Sequence, residues 1–435
     1  MDRNKMWKII ELKYCKGDGL LLIISVFTCL LLFTNFIFIQ GNIDWFNSDT
    51  AAQIIQVMEM KRKNTLFPNS WIDSTQPHLF SLPLLFVSML TSDYLLARNL
   101  TQLLFAVVFL ILNIWMIKII FKNHSFLFLI PVVFSNLFRV SFTRLFFVYC
   151  DYLPEIFCEQ VILTLFVTML DDTYKIISYK RYIVGNILLF ISCSIGLHGV
   201  EQIALPLLGS FFVVFWEENV KSDKIRLGHI IGHLAIVFLN VIFCTVLGTI
   251  FYKYIISKLF GVQGLSHATT FCDMNAVILH MQNIVKGIVY ILELPDNASF
   301  FSIEGLQFFM RFAAFGFLIL IFPTLSFKKY GQYSRPVKIM HIFTLINVIE
   351  MVLIALFSQC FGEPQHIRYF AHIFYLLSII SCNYIYDTYF KQQEGISPYV
   401  YTIFSCMVVI VVNLNWLFIP WKHNSNHSMR EMTEF

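Results

Sequence analysis

Four ionisable residues stand at the borders of long apolar segments in a chain that carries few charges. They are Asp49, Asp151, His198 and Arg368. Ionisable side chains at membrane depth are costly, so they are usually paired or functional. A carboxylate can serve as general base towards a hydroxyl group, and arginine binds two phosphate oxygens at once. This set therefore suits a reaction between a lipid-linked phosphate and an acceptor hydroxyl.

Each of these positions also has a purely structural interpretation. Asp49 follows Asn-Ser and precedes Thr-Ala-Ala-Gln, so it fits the N-cap of a helix. Arg144 and Asp151 flank one turn between two apolar segments and fit an internal salt bridge. His198 fits a hydrogen-bonded core histidine, and Arg368 fits a snorkelling arginine at a membrane border. The chemical interpretation rests on joint placement, because Asp49, Asp151, His198 and Arg368 fall on one predicted face of the membrane.

Transmembrane helices must position these residues. Hydrophobic residues make up 57% of the chain and charged residues 13%, whereas soluble domains carry about 25% charged residues. The net charge of +4 does not indicate nucleic acid, because the basic residues are spread between apolar segments. The 10 cysteines form no CxxC pair, which is typical of small buried side chains rather than of disulfides or metal ligands. The predicted fold class is all-α, a polytopic transmembrane helical bundle.

Eleven segments are apolar enough to serve as spans of that bundle, since a crossing needs about 20 residues of helix. The segment 79–90 is too short to cross and contains Pro83, so it predicts a surface or re-entrant helix. The predicted spans are 19–39, 95–121, 126–147, 153–170, 182–198, 200–216, 228–256, 306–327, 339–358, 368–387 and 399–419.

The distribution of lysine and arginine predicts the orientation. More than half of the 31 basic residues fall in alternate connections, and the positive-inside rule makes that side cytoplasmic. The opposite side then receives a long first loop, 41–94, and a second large loop, 257–305. Residues 1–435 are predicted as one transmembrane domain with a polar tail at 420–435. The predicted location is a bacterial cytoplasmic (inner) membrane with the functional face outward, and the endoplasmic reticulum is the alternative.

The order of these landmarks resembles the GT-C superfamily of polytopic glycosyltransferases, which includes protein O-mannosyltransferases and lipid A aminoarabinose transferases. Members share a long first extracytoplasmic loop with an acidic residue soon after the first span. The resemblance covers most of residues 19–390. Its short motifs correspond here to Asp49 in FNSDTAAQ, His78 in Gln-Pro-His-Leu, Arg144 with Asp151 and Pro154, His198-Gly199, and Arg368-Tyr369.

The resemblance implies that a sugar moves from a polyprenyl-phosphate donor to an extracytoplasmic glycan, lipid or protein hydroxyl. Asp49 would be the general base, while Arg144 and Arg368 would hold the donor phosphate. The implied substrate-binding set is Asp151, Arg144, His198, Arg368, Tyr369 and His78. The chain has His198 where the family usually has lysine, and its second loop has no Asp-X-Asp. No metal and no other cofactor is therefore expected; the expected partners are the two substrates and membrane lipids.

Two other classes of membrane protein fit the composition. A polysaccharide polymerase or ligase is also polytopic, but it usually places its large loop late in the chain, whereas here a long loop comes first. A lipid or solute transporter needs no general base and more often buries its charges near the middle of the bilayer. A structural membrane subunit would not need ionisable residues gathered on one face.

Overall fold

The computed structural model describes residues 3–34, 37, 48–68, 81–122, 129–132, 153–171, 179–196, 199–221, 227–259, 271–292, 299, 301–358, 362–390 and 398–412. Within these ranges the regular structure is helical, apart from one isolated antiparallel bridge between Phe271 and Ser358. The described part of the chain is thus all-α, as predicted.

Fourteen helices are numbered here in chain order. They are α1 (Arg3–Thr34), α2 (Ser48–Lys63), α3 (Ser81–Val87), α4 (Tyr94–Ile120), α5 (Leu153–Asp171), α6 (Tyr179–Ile195), α7 (Leu205–Lys221), α8 (Leu227–Phe251), α9 (Met274–Ile291), α10 (Ile303–Phe315), α11 (Phe322–Lys328), α12 (Arg335–Phe357), α13 (Ala371–Ile385) and α14 (Pro398–Val412). Short π-helical stretches precede α7 (Gly199–Ala204), follow α8 (Tyr252–Ile256), join α10 to α11 (Gly316–Ile321) and follow α13 (Tyr386–Phe390). A 3₁₀ helix, Pro364–Phe370, leads into α13.

Five helical segments among the described residues are long and apolar enough to cross a membrane. They are Tyr94–Ile120, Gly199–Glu217, Phe238–Leu259, Ile303–Lys328 and Arg335–Phe357. Three shorter apolar helices accompany them, Gly19–Thr34, Arg181–Ile195 and Pro398–Val411. The protein is therefore a helical integral membrane protein. The count of eleven spans stays a prediction, although the described parts of all eleven segments are helical.

Polarity is distributed as the bilayer requires. Large apolar side chains are exposed on the outside of the spans, for example Ile111 on α4 and Leu320 in the stretch joining α10 to α11. Polar side chains lie inside and bond to their own helix, because hydrocarbon offers them no other partner. Thr101 donates to the Ala97 carbonyl at 2.7 Å, and Asn113 Nδ2 donates to the Phe109 carbonyl at 2.8 Å.

Helix α13 is the centre of the bundle. All but two of its residues are buried, and the exceptions, Leu377 and Ile385, are half-buried. The polar residues His372 and Asn383 are buried along with the apolar ones. A polar side chain that is placed on this helix must therefore find its partner on a neighbouring helix or on its own backbone.

One end of the bundle gathers basic connections. Lys338, in the first turn of α12, lies 3.9 Å from Glu217 near the end of α7. Lys329, just after α11, donates to the Thr388 hydroxyl at 2.9 Å beyond the end of α13. We call residues 215–221, 326–338 and 384–390 the basic end. They include the connection whose charges predict a cytoplasmic position.

The other end of the bundle gathers the long connections. Helices α4 and α5 run in parallel, with the Phe105 and Phe157 rings 5.5 Å apart. The second turn of α5 also meets the first turn of α13, because Glu159 contacts His372. Helix α12 runs from the basic end to the connection before α13. The starts of α4, α5 and α13 therefore lie at the opposite end of the bundle. We call residues 48–68, 81–94, 153–159, 271–292 and 356–372 the loop end.

Candidate functional site

The described part of the first loop is folded against the start of α4. The Ser81 hydroxyl, in the first turn of α3, donates to Gln56 Oε1 on α2. The Lys61 ammonium on α2 donates to the Ser88 carbonyl at 2.7 Å and lies 4.8 Å from the centre of the Tyr94 ring. Helices α2 and α3 are thus held on the loop end by polar contacts as well as by apolar packing.

Asp49 is the second residue of α2, which begins at Ser48. The helix thus begins two residues before Thr50, the first residue expected from an N-cap at Asp49, and Asp49 lies in its first turn. A carboxylate in the first turn of a helix is stabilised by the free N–H groups and the helix dipole, as at an N-cap. The side chain of Asp49 itself lies outside the described residues.

Buried polar side chains occur on both α2 and α4, which each pack against α3. Gln53 and Gln56 on α2 are fully buried, and so are Arg98 and Gln102 on α4. Arg98 is 1% exposed and is the largest of the fully buried side chains described. Guanidinium stays charged in proteins, so its burial has to be compensated by interactions. The sequence signal for this cluster was the polar pair Arg98-Asn99 followed by Gln102 at the start of an apolar span.

The 3₁₀ helix Pro364–Phe370 carries Arg368 and Tyr369. The Tyr369 ring stacks on the His366 ring with centres 5.9 Å apart and planes at 28°. Both residues are half-buried. Arg368 belongs to the same helix, but its side chain lies outside the described residues. The two rings thus form a small aromatic surface beside the position of Arg368.

Helix α9 supports this segment. Asn283 Nδ2 donates to the Gly362 carbonyl at 2.9 Å. A methyl group at Gly287 would lie 2.6 Å from Ile367 Cβ and 2.7 Å from the Pro364 carbonyl oxygen, so only glycine permits this close approach. The position of the 3₁₀ helix is therefore fixed by the second large loop of the sequence.

A buried acid–base pair lies one turn beyond Tyr369. His372 Nδ1 on α13 is 3.2 Å from Glu159 Oε2 on α5, and both side chains are buried. Glu159 Oε1 has no hydrogen-bond partner among the described residues. Glu155, one turn earlier on α5, is buried as well. Sequence analysis missed this pair; the available signal was two carboxylates four residues apart inside an apolar span.

A hydrogen-bonded chain ties three helices together below the pair. Gln160 Nε2 on α5 donates to the Tyr375 hydroxyl at 2.8 Å, and that hydroxyl donates to Asn113 Oδ1 on α4 at 2.9 Å. The Tyr375 ring is also packed 5.7 Å from the Phe109 ring. This chain fixes α13 against α4 and α5, and thus the floor under Glu159 and His372.

Four predicted site residues, His78, Arg144, Asp151 and His198, lie outside the described residues. The Gly199–Ala204 stretch follows His198 directly in the sequence. That stretch contains Glu201, whose carboxylate lies close enough to Glu350 on α12 for the two to interact electrostatically. Glu201 and Glu350 are both half-buried.

The chain has no match among protein-family models, curated proteins or solved structures. Its class is therefore defined by its own fold and site. It is a helical integral membrane protein with folded first-loop helices and a cluster of buried ionisable residues at one end of the bundle.

Proposed function

We propose that the protein is a GT-C-like glycosyltransferase. It moves a sugar from a polyprenyl-phosphate donor to the hydroxyl group of an extracytoplasmic glycan, lipid or protein. One observation carries the proposal: the loop end gathers the helix that bears Asp49, the aromatic segment that bears Arg368 and Tyr369, and the buried pair Glu159–His372. A transferase of this kind needs a base, a phosphate ligand and a sugar-binding surface at one membrane border.

The proposed reaction is a single displacement at the anomeric carbon. The acceptor oxygen forms a bond to this carbon as the bond to the phosphate oxygen breaks. Asp49 takes the acceptor proton, and the polyprenyl phosphate leaves with the electron pair. Arg144 and Arg368 bind the phosphate, whose negative charge grows during the step, because arginine stays charged and binds two oxygens in one plane. No group has to protonate the leaving phosphate.

The other residues have supporting roles in this proposal. Tyr369, stacked on His366, offers an aromatic face for a sugar ring. His198 and His78 add hydrogen bonds to the donor, and Asp151 orients Arg144 or the acceptor. No metal and no cofactor take part in the proposed step.

The proposal places the loop end outside a bacterial cytoplasmic membrane. The positive-inside rule supports this orientation, because Lys328, Lys329, Arg335 and Lys338 lie at the basic end. Labelling of single cysteines with an impermeant maleimide, in a chain cleared of native cysteines, tests it. Exposed Asn64, just after α2, is expected to react in intact cells, and exposed Gln332 only after the membrane is opened. The reverse pattern would turn the site to the cytoplasm and contradict the proposal.

The catalytic role of Asp49 is tested by transfer from purified polyprenyl-phosphate sugars in detergent. Asn caps a helix about as well as Asp, so Asp49→Asn preserves the fold if Asp49 is only a cap. Loss of a general base costs about 10²–10⁴-fold in rate. We therefore expect Asp49→Asn to keep the thermal midpoint and lose this much kcat. Near-parent turnover in Asp49→Asn would exclude Asp49 as the base and leave Asp151 or Asp73 as the alternatives.

A transporter is the second function that a specific observation favours. The pair Glu159–His372 lies inside the bundle, and buried carboxylate–histidine pairs at membrane depth are typical of proton-coupled transport. Two assays, sugar transfer and solute uptake, distinguish the two functions. A transporter gives no sugar transfer with any donor, and it takes up labelled solute into proteoliposomes in a manner that depends on Glu159. A polymerase or ligase would instead extend a lipid-linked glycan in the transfer assay.

A further inference from the structure

Helix α9 divides its surface into three lengthwise faces. One face packs on the protein through Val277, His280, Asn283, Gly287 and Ile291, which are all buried. A second face is exposed and apolar, and a third is exposed and polar. Five exposed apolar residues form the second face, Met274, Ile278, Met281, Val285 and Val289, while a sixth, Leu279, lies between the polar face and the packed face. The exposed polar residues are Asn275, Gln282 and Lys286.

These faces are narrow and separate. At about 100° per residue, the five exposed apolar residues fall within an arc of about 80°, and the three polar ones fall in the next arc of about 40°. Two half-buried isoleucines, Ile284 and Ile288, continue the apolar face towards the protein. The apolar and polar surfaces are thus continuous stripes along the helix rather than scattered residues.

The medium around the apolar stripe cannot be water alone. A helix in water turns its apolar side to the protein and its polar side out. Helix α9 does the opposite with part of its surface, since it buries His280 and Asn283 and leaves Ile278 and Val285 more than 60% exposed. Exposure of large apolar side chains next to buried polar ones is the pattern that the membrane spans of this protein also show.

Helix α9 nevertheless differs from a span. On α12 the outward residues of the outer half are apolar only: Leu345, Ile349 and Leu353. A span with the sequence of α9 would expose Lys286 and Gln282 to hydrocarbon, at a cost that spans normally avoid. A polar stripe beside an apolar stripe instead fits a helix that lies in the membrane interface, half in hydrocarbon and half among headgroups and water.

The contacts of α9 show how it lies relative to α12 and α13. From Cys272 to Gly287, successive residues contact first the end of α12 and then the segment that leads into α13. Cys272 N–H donates to the Phe357 carbonyl at 2.8 Å, His280 Nδ1 lies 3.0 Å from the Leu356 carbonyl, and Asn283 reaches Gly362. Gly287 then meets Ile367. Helix α9 thus lies across the tip of the α12–α13 hairpin and not along either helix.

We infer that α9 is an interfacial helix whose partner is the bilayer surface. Its apolar stripe, which includes Met281 and Val285, lies among the acyl chains, and its polar stripe, which includes Gln282 and Lys286, lies at the headgroups. Because α9 holds the 3₁₀ helix Pro364–Phe370, it fixes the height of that helix relative to the membrane surface. Tyr369 and the position of Arg368 then stand at the level of the lipid headgroups. This inference does not depend on the proposed transferase activity.

The bilayer contact is tested by methionine oxidation in vesicles of phosphatidylcholine and phosphatidylglycerol, read by peptide mass spectrometry. The water-soluble oxidant chloramine-T is the probe. Met281 is 56% exposed in the protein, so the chain itself leaves it open to the oxidant unless lipid covers it. In the variant Gln282→Met, a second methionine stands on the polar stripe next to Met281. We expect Met281 to be oxidised at least tenfold more slowly than the methionine at position 282. Equal rates at the two positions would overturn the inference.

The in-plane orientation is tested separately by nitroxide labels on single cysteines at Ile278, Val285 and Val289. Their accessibility to oxygen and to a soluble nickel complex reports depth. An interfacial helix gives oxygen-favoured labels of equal depth, while a label at Gln282 favours nickel. A span gives depths that change over the roughly 16 Å between Ile278 and Val289 and would overturn the inference. Neither measurement uses activity, so failure of the proposed function leaves both interpretable.

Discussion

The two ends of the bundle use their charges in different ways. At the basic end, Lys338 and Arg335 are partly exposed and rest against aromatic rings, Tyr330 and Phe215, at 5.5 and 5.6 Å. At the loop end, Glu159 and His372 are buried inside the protein, and so is Arg98, one turn into α4. Partly exposed charges near aromatic rings anchor helices at little cost. Buried ionisable groups are expensive and are often retained where a site needs them, so the difference supports the proposal that the loop end carries the site.

The largest expected effect follows from breaking the buried pair. His372→Leu leaves Glu159 buried without its imidazole partner, which typically costs about 3–5 kcal/mol. Lys338→Met at the basic end breaks a partly exposed pair with Glu217 and should cost about 1 kcal/mol or less. The free energy of unfolding in detergent micelles measures both.

A double variant sharpens this test. Glu159→Leu together with His372→Leu removes both buried ionisable groups, so most of the lost stability should return. The comparison between the two ends fails if His372→Leu costs no more than Lys338→Met.

The next effect concerns donor affinity. Arg368→Lys keeps the charge but loses the two-pronged geometry, and one hydrogen bond to a charged group contributes about 1.5–3 kcal/mol. Under the proposed function, the donor KM should rise about 10- to 100-fold while the fold is kept. Arg335→Lys, a matched change at the basic end, should leave the donor KM unchanged. An unchanged KM and kcat in Arg368→Lys would remove Arg368 from the site.

A smaller effect is expected where α9 touches the 3₁₀ helix. Gly287→Ala forces a methyl group against Ile367 and Pro364. Such overpacking costs about 1–3 kcal/mol, and the better helix propensity of alanine returns about 1 kcal/mol. We expect a small loss of stability together with a raised donor KM. Gly316→Ala is the control, because nothing lies within 4 Å of its added methyl group; similar behaviour of the two variants would show that α9 does not position the segment.

Apolar length and turn signals made much of the fold predictable from the sequence. The apolar runs predicted helices that the structure has, including α12 and the short α3 within 79–90. The start of α2 beside Asp49 followed from local capping chemistry. These features depend on neighbouring residues, and neighbouring residues are what a sequence shows.

The inside of the site depends on which helix faces meet, and that is not a local property. Gln160 and Tyr375 bond to each other across 215 residues of chain. The contact of Glu159 with His372 joins the same two helices. From the sequence, the residues of α9 were assigned only to a loop. The mean hydropathy over this segment combines the apolar stripe with the polar residues Asn275, Gln282 and Lys286. The burial of Arg98 was not predicted, since burial cannot be read from an arginine near the start of a helix.

The smallest expected effect separates the two ends by hydrogen bonds alone. Tyr375→Phe at the floor of the loop end removes one bond to Gln160 and one to Asn113 while the ring is kept. Hydrogen bonds between membrane helices contribute about 0.6 kcal/mol on average, so the two bonds predict a loss of about 1 kcal/mol.

Tyr333→Phe at the basic end is the matched control. Its hydroxyl has a 3.1 Å contact with Ser326, which is also bonded to His341 at 2.8 Å. Ser326 thus keeps a partner, and the variant should lose less than about 0.6 kcal/mol. Because the two substitutions are chemically identical, a larger loss for Tyr375→Phe measures how strongly the loop end depends on satisfied polar groups. Equal losses would mean that the buried network under Glu159 and His372 contributes nothing beyond ordinary helix packing.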